Sequence, residues 1–460
     1  MGRHYTPRSP VSKRAKPRGH RGAERSVASD HDRPLPERVG SASERREARR
    51  GDLTRGERPG ESTGAVAPDD GWELPDPWID LGGRTMPAIL GVPKEIKQDE
   101  GRVAISPNGV HVLVEEGHRV LIERSAGYES GITDDEFEEA GAEIVENARE
   151  IWANAQIIVK VKEPLAAEYD LIRPGQVVFT FFHFAASREL TDAMIESGAT
   201  CIAYETIKDD GGRLPVLTPM SEVAGRMSVF EGSKHLESPF GGRGVLVSGV
   251  PGVEPAKVVV IGGGVVGSNA ARIAAGVGAQ VTIFDIQLER LRYLADIMPP
   301  NVTTLYSSPL MIREKVRQAD LVVGAVLVAG ERAPVLVSRE LVASMKHRSV
   351  IVDVAVDQGG CVETCRPTTH SAPTYVVDGV VHYCVANMPG AVARTSTYAL
   401  TNTTIPYLRV LAAKGLGGFL ALGEGPRDGL NVHAGKVYHE GVAKAFGLEL
   451  ADVARLSAGD

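Results

Sequence analysis

One stretch limits what this chain can become more than any other: KVVVIGGGVVGSNAARIAAGVGAQVTIFD, from Lys257 to Asp285. An apolar run suited to a buried strand meets Gly262, Gly264 and Gly267, and a helix of small residues opens there with Val265 and Val266. At this spacing Gly262 permits a tight turn, Gly264 lets a pyrophosphate reach the backbone, and Gly267 lets helix and strand pack closely. The helix start offers free amides and the positive end of its dipole to phosphate. Asp285 ends the next strand about 20 residues on, where an acid hydrogen-bonds the adenosine ribose. A carboxylate there repels a 2′-phosphate, so NAD is expected rather than NADP. Arg290 is the one reservation, since a nearby arginine can accept that phosphate, although a place over the ribose or in solvent suits it better.

Around this unit, strand-like and helix-like segments alternate. PAILGV, RVLIE, IIVKV, VVFTFF and TCIAYE read as strands of a first unit, and KVVVIG, QVTIFD, DLVVGAV and SVIVDVAV as strands of a second. Ser106-Pro107 predicts a capped helix start with Val110, Leu113 and Val114 on its apolar face. Thr133 to Glu136 has the capping-box form. This alternation predicts an α/β fold with two Rossmann-like, doubly wound parallel-sheet domains and a cleft between them. The expected boundaries are 86–215 for a substrate domain and 216–393 for the dinucleotide domain. A mostly helical segment, 394–460, would complete the first. Two long helices, SEVAGRMSVFEGSKHLE and TSTYALTNTTIPYLRVLAAKG, would cross between the units.

Residues 1–85 have a different texture, rich in Arg, Pro, Gly, Ser and Glu and poor in aliphatic periodicity. Such a segment buries too little apolar surface to offset its ordering entropy, so disorder is expected. It reads as a dispensable extension, with Met86 as the working initiator, or alternatively as a basic partner-binding arm. The net charge of -8 gives the folded part no reason to bind nucleic acid or an anionic membrane. No apolar stretch approaches the roughly 18 residues of a membrane span. Cys201, Cys361, Cys365 and Cys384 in so long a chain read as reduced thiols of a cytoplasmic protein. Cys361, Cys365 and His370 lack a second ligand pair, so no metal is expected.

Ligands of open α/β sheets bind beyond the carboxyl ends of the strands. Arg102 follows the first strand, Lys162 lies at the end of IIVKV, His183 follows VVFTFF, and Asp357 follows SVIVDVAV. Two cations suit a substrate carboxylate, while His and Asp supply proton transfer. Each has a plainer reading: Arg102 in a surface ion pair, Lys162 paired with Glu163, His183 a satisfied core histidine. Their shared placement at strand ends favours one cleft that gathers all four.

Read together, GVPKEIKQDEGRVAISPNGV, VKVKEP, VFTFFHFAASRELT, AYET, PMSEVAGR, SGVPGVEPAKVVVIGGG, DVAVDQGGCVE, RPTTH, CVANMPGAVARTSTYALTN and LNVHAGKVYHE resemble the alanine dehydrogenase family. The resemblance runs from Met86 almost to the last residue and does not cover residues 1–85. It implies that Arg102 and Lys162 bind the substrate carboxylate and that His183 and Asp357 are the acid/base pair. Around NAD it implies Ser221, Asp285, Arg290, Ser307, Val326, Leu327, Val354, Ala355, Val356, Asp357 and Arg366. Val385, Ala386, Asn387 and Met388 would lie near the nicotinamide. Arg290 stands where the family pattern has a lysine. The implied reaction converts L-alanine, NAD and water to pyruvate, ammonium and NADH, in a homo-hexamer. Two alternatives stay open: the similar NAD-binding component of a proton-translocating transhydrogenase, and a non-catalytic NAD-sensing scaffold.

Overall fold

Fully apolar strand runs demand cover on both faces, and that requirement shapes the molecule. A computed structural model describes residues 87–326, 333–356 and 359–456. The expectations for residues 1–85, for Met86, and for Leu327 and Asp357 lie outside the described residues.

The first six strands are β1 (Ile89–Val92), β2 (Arg119–Glu123), β3 (Glu143–Val145), β4 (Ile157–Val159), β5 (Val177–Thr180) and β6 (Thr200–Ala203). A second set follows: β7 (Lys257–Ile261), β8 (Gln280–Asp285), β9 (Val302–Tyr306), β10 (Leu321–Gly324), β11 (Val350–Asp353), β12 (Thr374–Val377) and β13 (Val380–Tyr383). Near the carboxyl terminus come β14 (Leu430–His433) and β15 (Lys436–Val437). They form two sheets, ordered β15-β14-β6-β5-β4-β1-β2-β3 and β12-β13-β11-β10-β7-β8-β9. Both belong to one compact unit.

Successive side chains of a strand point to opposite faces, and both sheets use this to feed two cores each. Ile157 and Val159 join one cluster of the first sheet while Ile158 joins the other. Val258 and Val260 likewise oppose Val259 and Ile261 in the second. Each such buried aliphatic contributes about 1.5–3 kcal/mol relative to exposure. The helices start where their signals place them. Ser106 accepts from Gly109 N at 3.3 Å. Thr133 and Glu136 form a complete capping box.

Both sheets are parallel-dominated, as expected, with antiparallel pairings toward one edge of each. β12 pairs antiparallel with β13, and β14 antiparallel with both β6 and β15. The end of the chain is mostly helical, as its pattern suggests, but it also contributes two strands to the first sheet. LNVHAGKV forms a hairpin because Ala434 (φ 47°) and Gly435 (φ 78°) both adopt the positive φ of a tight two-residue turn. The two crossing helices are present as Thr218–His235 and Ala393–Leu420. The second contains Pro406 and departs from helical geometry at Gly415.

The order of each sheet reverses once, beside β1 and β4 in the first and beside β7 and β10 in the second. Crevices at the carboxyl ends of such strands are where open α/β sheets take ligands.

Candidate functional site

Arg102 is buried, with 2% of its surface exposed, and is neither loose nor part of a surface ion pair. Its Nε donates to Glu100 Oε1 at 2.6 Å and a terminal nitrogen pairs with Glu100 Oε2. The same nitrogen donates to Asn387 Oδ1 at 2.7 Å, and the other meets Met220 Sδ at 3.0 Å. Burial alone would raise the Glu100 carboxyl, but hydrogen bonds and charge from Arg102 outweigh it and hold the carboxyl below its usual range.

Lys162 is organised from below by a different glutamate. Glu95 Oε1 accepts from Val161 N at 2.6 Å and from Lys162 N at 3.3 Å. Its other oxygen faces Lys160 Nζ at 3.1 Å, and Lys160, fully buried, also pairs with Glu168 at 3.1 Å. Glu163 does not take the Lys162 side chain; it pairs with Lys97. Partial burial, then the charges of Arg102 and Lys97, lower the pKa of Lys162.

His183 is not a satisfied core residue either. It is exposed on the cleft, adopts φ 53°, and stacks on Phe181 with ring centroids 5.8 Å apart. Crowding by the cleft walls, then the charges of Lys162, Lys97 and Arg102, push its pKa down, an effect that solvent reaching the ring partly screens. The imidazole is therefore neutral at pH 7. Glu205 accepts from His183 N at 2.6 Å, and desolvation pushes the Glu205 carboxyl up to about 7 against its amide donors and Lys162.

Across the cleft lies the glycine turn. Gly262 has φ 104°, and a Cβ there would lie 2.5 Å from the Ala325 carbonyl oxygen. A Cβ on Gly267 would lie 1.8 Å from Gly262 O, whereas one on Gly264 would meet nothing within 4 Å. The turn is thus closed toward the protein and open at Gly264, the shape a pyrophosphate needs. Val265 and Val266 begin the helix Val265–Gly276, whose first amides face this opening. Asp285 accepts from Gly263 N at 2.9 Å and Gln287 N at 2.8 Å, which fixes its carboxylate beside the turn. Arg290 Nε donates to Gly263 O at 2.6 Å, and its guanidinium lies over Tyr293. Ser307, just after β9, donates its amide to Asp285 O at 2.9 Å. Arg366 is exposed and stacked on Tyr375, 4.3 Å from the ring centroid. Among the described residues no group of three or more His, Cys, Asp or Glu is placed to hold a metal. His370 instead approaches the Asn387 carbonyl at 3.2 Å.

One cleft of roughly 820 Å³ gathers much of this. Arg102, Lys162, Phe181 and His183 line it from the first sheet, and Ser221 with Leu217 and Met220 from the crossing helix region. Val266, Ala325, Val354 and Ala355 line it from the second sheet, with Val385, Asn387 and Met388 between. Val326, Val356, Asp285, Arg290, Ser307, Arg366 and Ala386 are not among its lining residues. Sequence reasoning missed Glu95, Glu100 and Glu205, the carboxylates that hold Lys162, Arg102 and His183. Their only signal was position: each sits in a loop beyond a strand end, where a glutamate reads as solvated.

Comparison with known proteins is consistent over nearly all of this region. Residues 91–224 match the alanine dehydrogenase/PNT N-terminal domain, and residues 228–440 its C-terminal domain. The chain is similar to the alanine dehydrogenase of Halomonas elongata, 53% identical over 80% of this chain and 99% of that protein. It is also similar to that of Bacillus subtilis, 54% identical over 78% and 95% respectively. A solved L-alanine dehydrogenase superposes with a TM-score of 0.76 at 53% identity, covering 78% of this chain and 99% of that one. A transhydrogenase from Sinorhizobium meliloti gives 0.66 at 27% identity, covering 76% and 99%.

Proposed function

The chain belongs to the alanine dehydrogenase family, and from that premise we propose how its cleft converts L-alanine, NAD and water to pyruvate, ammonium, NADH and a proton, reversibly. One observation carries the reading: Arg102, Lys162 and His183 converge on a single cleft that the glycine-turn helix also lines through Val266. A small carboxylate with a reacting carbon beside it suits that set.

The chain's residues fit a bound dinucleotide, because the turn is sterically closed at Gly262 and Gly267 and open at Gly264. Gly262, Gly264, Val265, Val266 and Gly267 would hold the pyrophosphate, and Asp285 the ribose, with Arg290 bracing the turn. Ser307, Val326, Leu327 and Arg366 belong to the adenosine side. Ser221, Val354, Ala355, Val356, Val385, Ala386, Asn387 and Met388 belong to the nicotinamide side. Bound there, NAD would supply the acceptor for the substrate's Cα hydride, the one role no side chain can fill.

Arg102 and Lys162 bind the carboxylate, and by fixing it they fix the direction of the Cα–H bond. Arg102 is held by Glu100 and Asn387, so it offers a pre-set donor at no further ordering cost. His183, neutral among its cationic neighbours, takes the proton of the water that adds to the imine carbon. It returns a proton to nitrogen as the carbinolamine collapses to pyruvate and ammonium. Asp357 shares that proton traffic and orients the amine. The substrate's negative charge offsets the cations around His183, so substrate arrival strengthens the base at the moment it is needed.

A cytoplasmic, alanine-consuming homo-hexamer is part of the same reading. Phe230 on the crossing helix, and Phe240, Leu246, Val250 and Val253 in the chain between that helix and β7, are exposed apolar residues of the kind subunit contacts use. The deciding assay is NADH absorbance on adding L-alanine. NADH should appear with NAD, far less product should form with NADP, and the reverse reaction should require both pyruvate and ammonium. Absence of turnover with alanine would overturn the assignment.

A further inference from the structure

Parallel strands lose their ladder partners at their carboxyl ends, and the amides of Phe182 and His183 fall at such an end. β5 stops at Thr180 and neighbouring β6 at Ala203, so neither amide has a strand carbonyl to meet. One side chain takes both: Glu205 accepts from His183 N at 2.6 Å and from Phe182 N at 3.3 Å. His183 meanwhile stands at φ 53° and ψ 41°, a left-handed conformation that a residue with a Cβ keeps only when its surroundings hold it there. Its imidazole has no hydrogen-bond partner among the described residues, so the backbone and the Phe181 ring decide where it points.

We propose that Glu205 is a positioning residue, whose carboxylate fixes the left-handed turn that presents the His183 ring to the cleft. This rests on the reading of His183 as the acid/base group. The turn that carries Glu205 is itself braced, since Asn431 Nδ2 on β14 donates to Thr206 Oγ1 at 2.8 Å. Arg102 and Lys162 hang on Glu100 and Glu95, so disturbing Glu205 leaves the hydrogen-bonded supports of the carboxylate clamp in place, and Glu205→Gln separates the loss of its charge, which acts on Lys162, from the loss of the turn.

The test compares Glu205→Ala and Glu205→Gln with the wild type, alone and on a His183→Ala background. Glu205→Ala should lower kcat by about ten- to a hundredfold, as a small displacement of a reacting group does. KM for pyruvate and the NADH Kd should stay within about twofold, because those sites do not change. Glu205→Gln, which keeps one acceptor oxygen, should recover part of the rate and serves alone if the alanine variant does not fold. On the His183→Ala background the further loss should shrink below about twofold, since residues acting through one another are non-additive. An unchanged kcat, a rise in KM matching the fall in kcat, or full multiplicative losses in the double variant would each overturn the proposal. If His183→Ala itself turned over normally, the reading of His183 would fall first, a distinct result.

Discussion

Among the described residues no carboxylate pairs with Lys162 Nζ, whereas the guanidinium of Arg102 is already committed to Glu100 and Asn387. On the proposed reading of the two as a carboxylate clamp, the lysine is therefore its more responsive half. A charge-assisted hydrogen bond contributes about 1.5–3 kcal/mol, so Lys162→Ala should raise the pyruvate KM about ten- to a hundredfold. NADH affinity should barely change. Burial and then Arg102 and Lys97 lower the pKa of Lys162, so its charge is lost on raising pH at values below the 10.5 of an unperturbed lysine. Pyruvate KM should accordingly climb on the alkaline side before that point, and Lys162→Ala should lack the climb. A variant with wild-type saturation by pyruvate would remove Lys162 from the site.

The glycine turn separates folding from binding at two neighbouring positions. A methyl on Gly267 would meet Gly262 O at 1.8 Å, so Gly267→Ala should disrupt the strand–helix packing, at about 1–3 kcal/mol, and lower Tm. Gly264 has open space beside it, so Gly264→Ala should leave Tm unchanged yet, if the pyrophosphate takes that space as proposed, weaken NADH binding. Fluorescence titration with NADH and a thermal melt distinguish the two, and equal Tm losses would contradict the geometry. This turn was legible in the sequence because its chemistry is local. So were β4, β5, β10 and β11, whose runs are buried on both faces. The edge strands were not. β9, VTTLY, has no fully buried residue, and β14–β15 declare themselves only through a turn at Ala434-Gly435. Strand ends likewise revealed Arg102, Lys162 and His183, but not Glu95 or Glu205, whose partners are backbone amides supplied by other strands.

Every described residue assigned to the cleft lies after Pro87, and residues 1–85 carry none of the assigned chemistry. A chain starting at Met86 should match the full-length protein in turnover and in assembly size by light scattering. Loss of activity, or a fall from a large oligomer to a monomer, would make the preceding segment a working part.

The first sheet begins at Ile89 yet is closed beyond β6 by β14 and β15, strands made only after the whole of the second sheet. During synthesis the glycine turn and its parallel strands are therefore finished first. β6 waits as an open edge, with unpaired amides and carbonyls of the kind that draws neighbouring chains together. The turn carrying Glu205 waits as well, since Asn431 has yet to reach Thr206. On the proposed reading, a growing chain on the ribosome would have a place for the dinucleotide before it has a finished seat for the amino acid, with the edge of β6 open to cross-pairing in that interval.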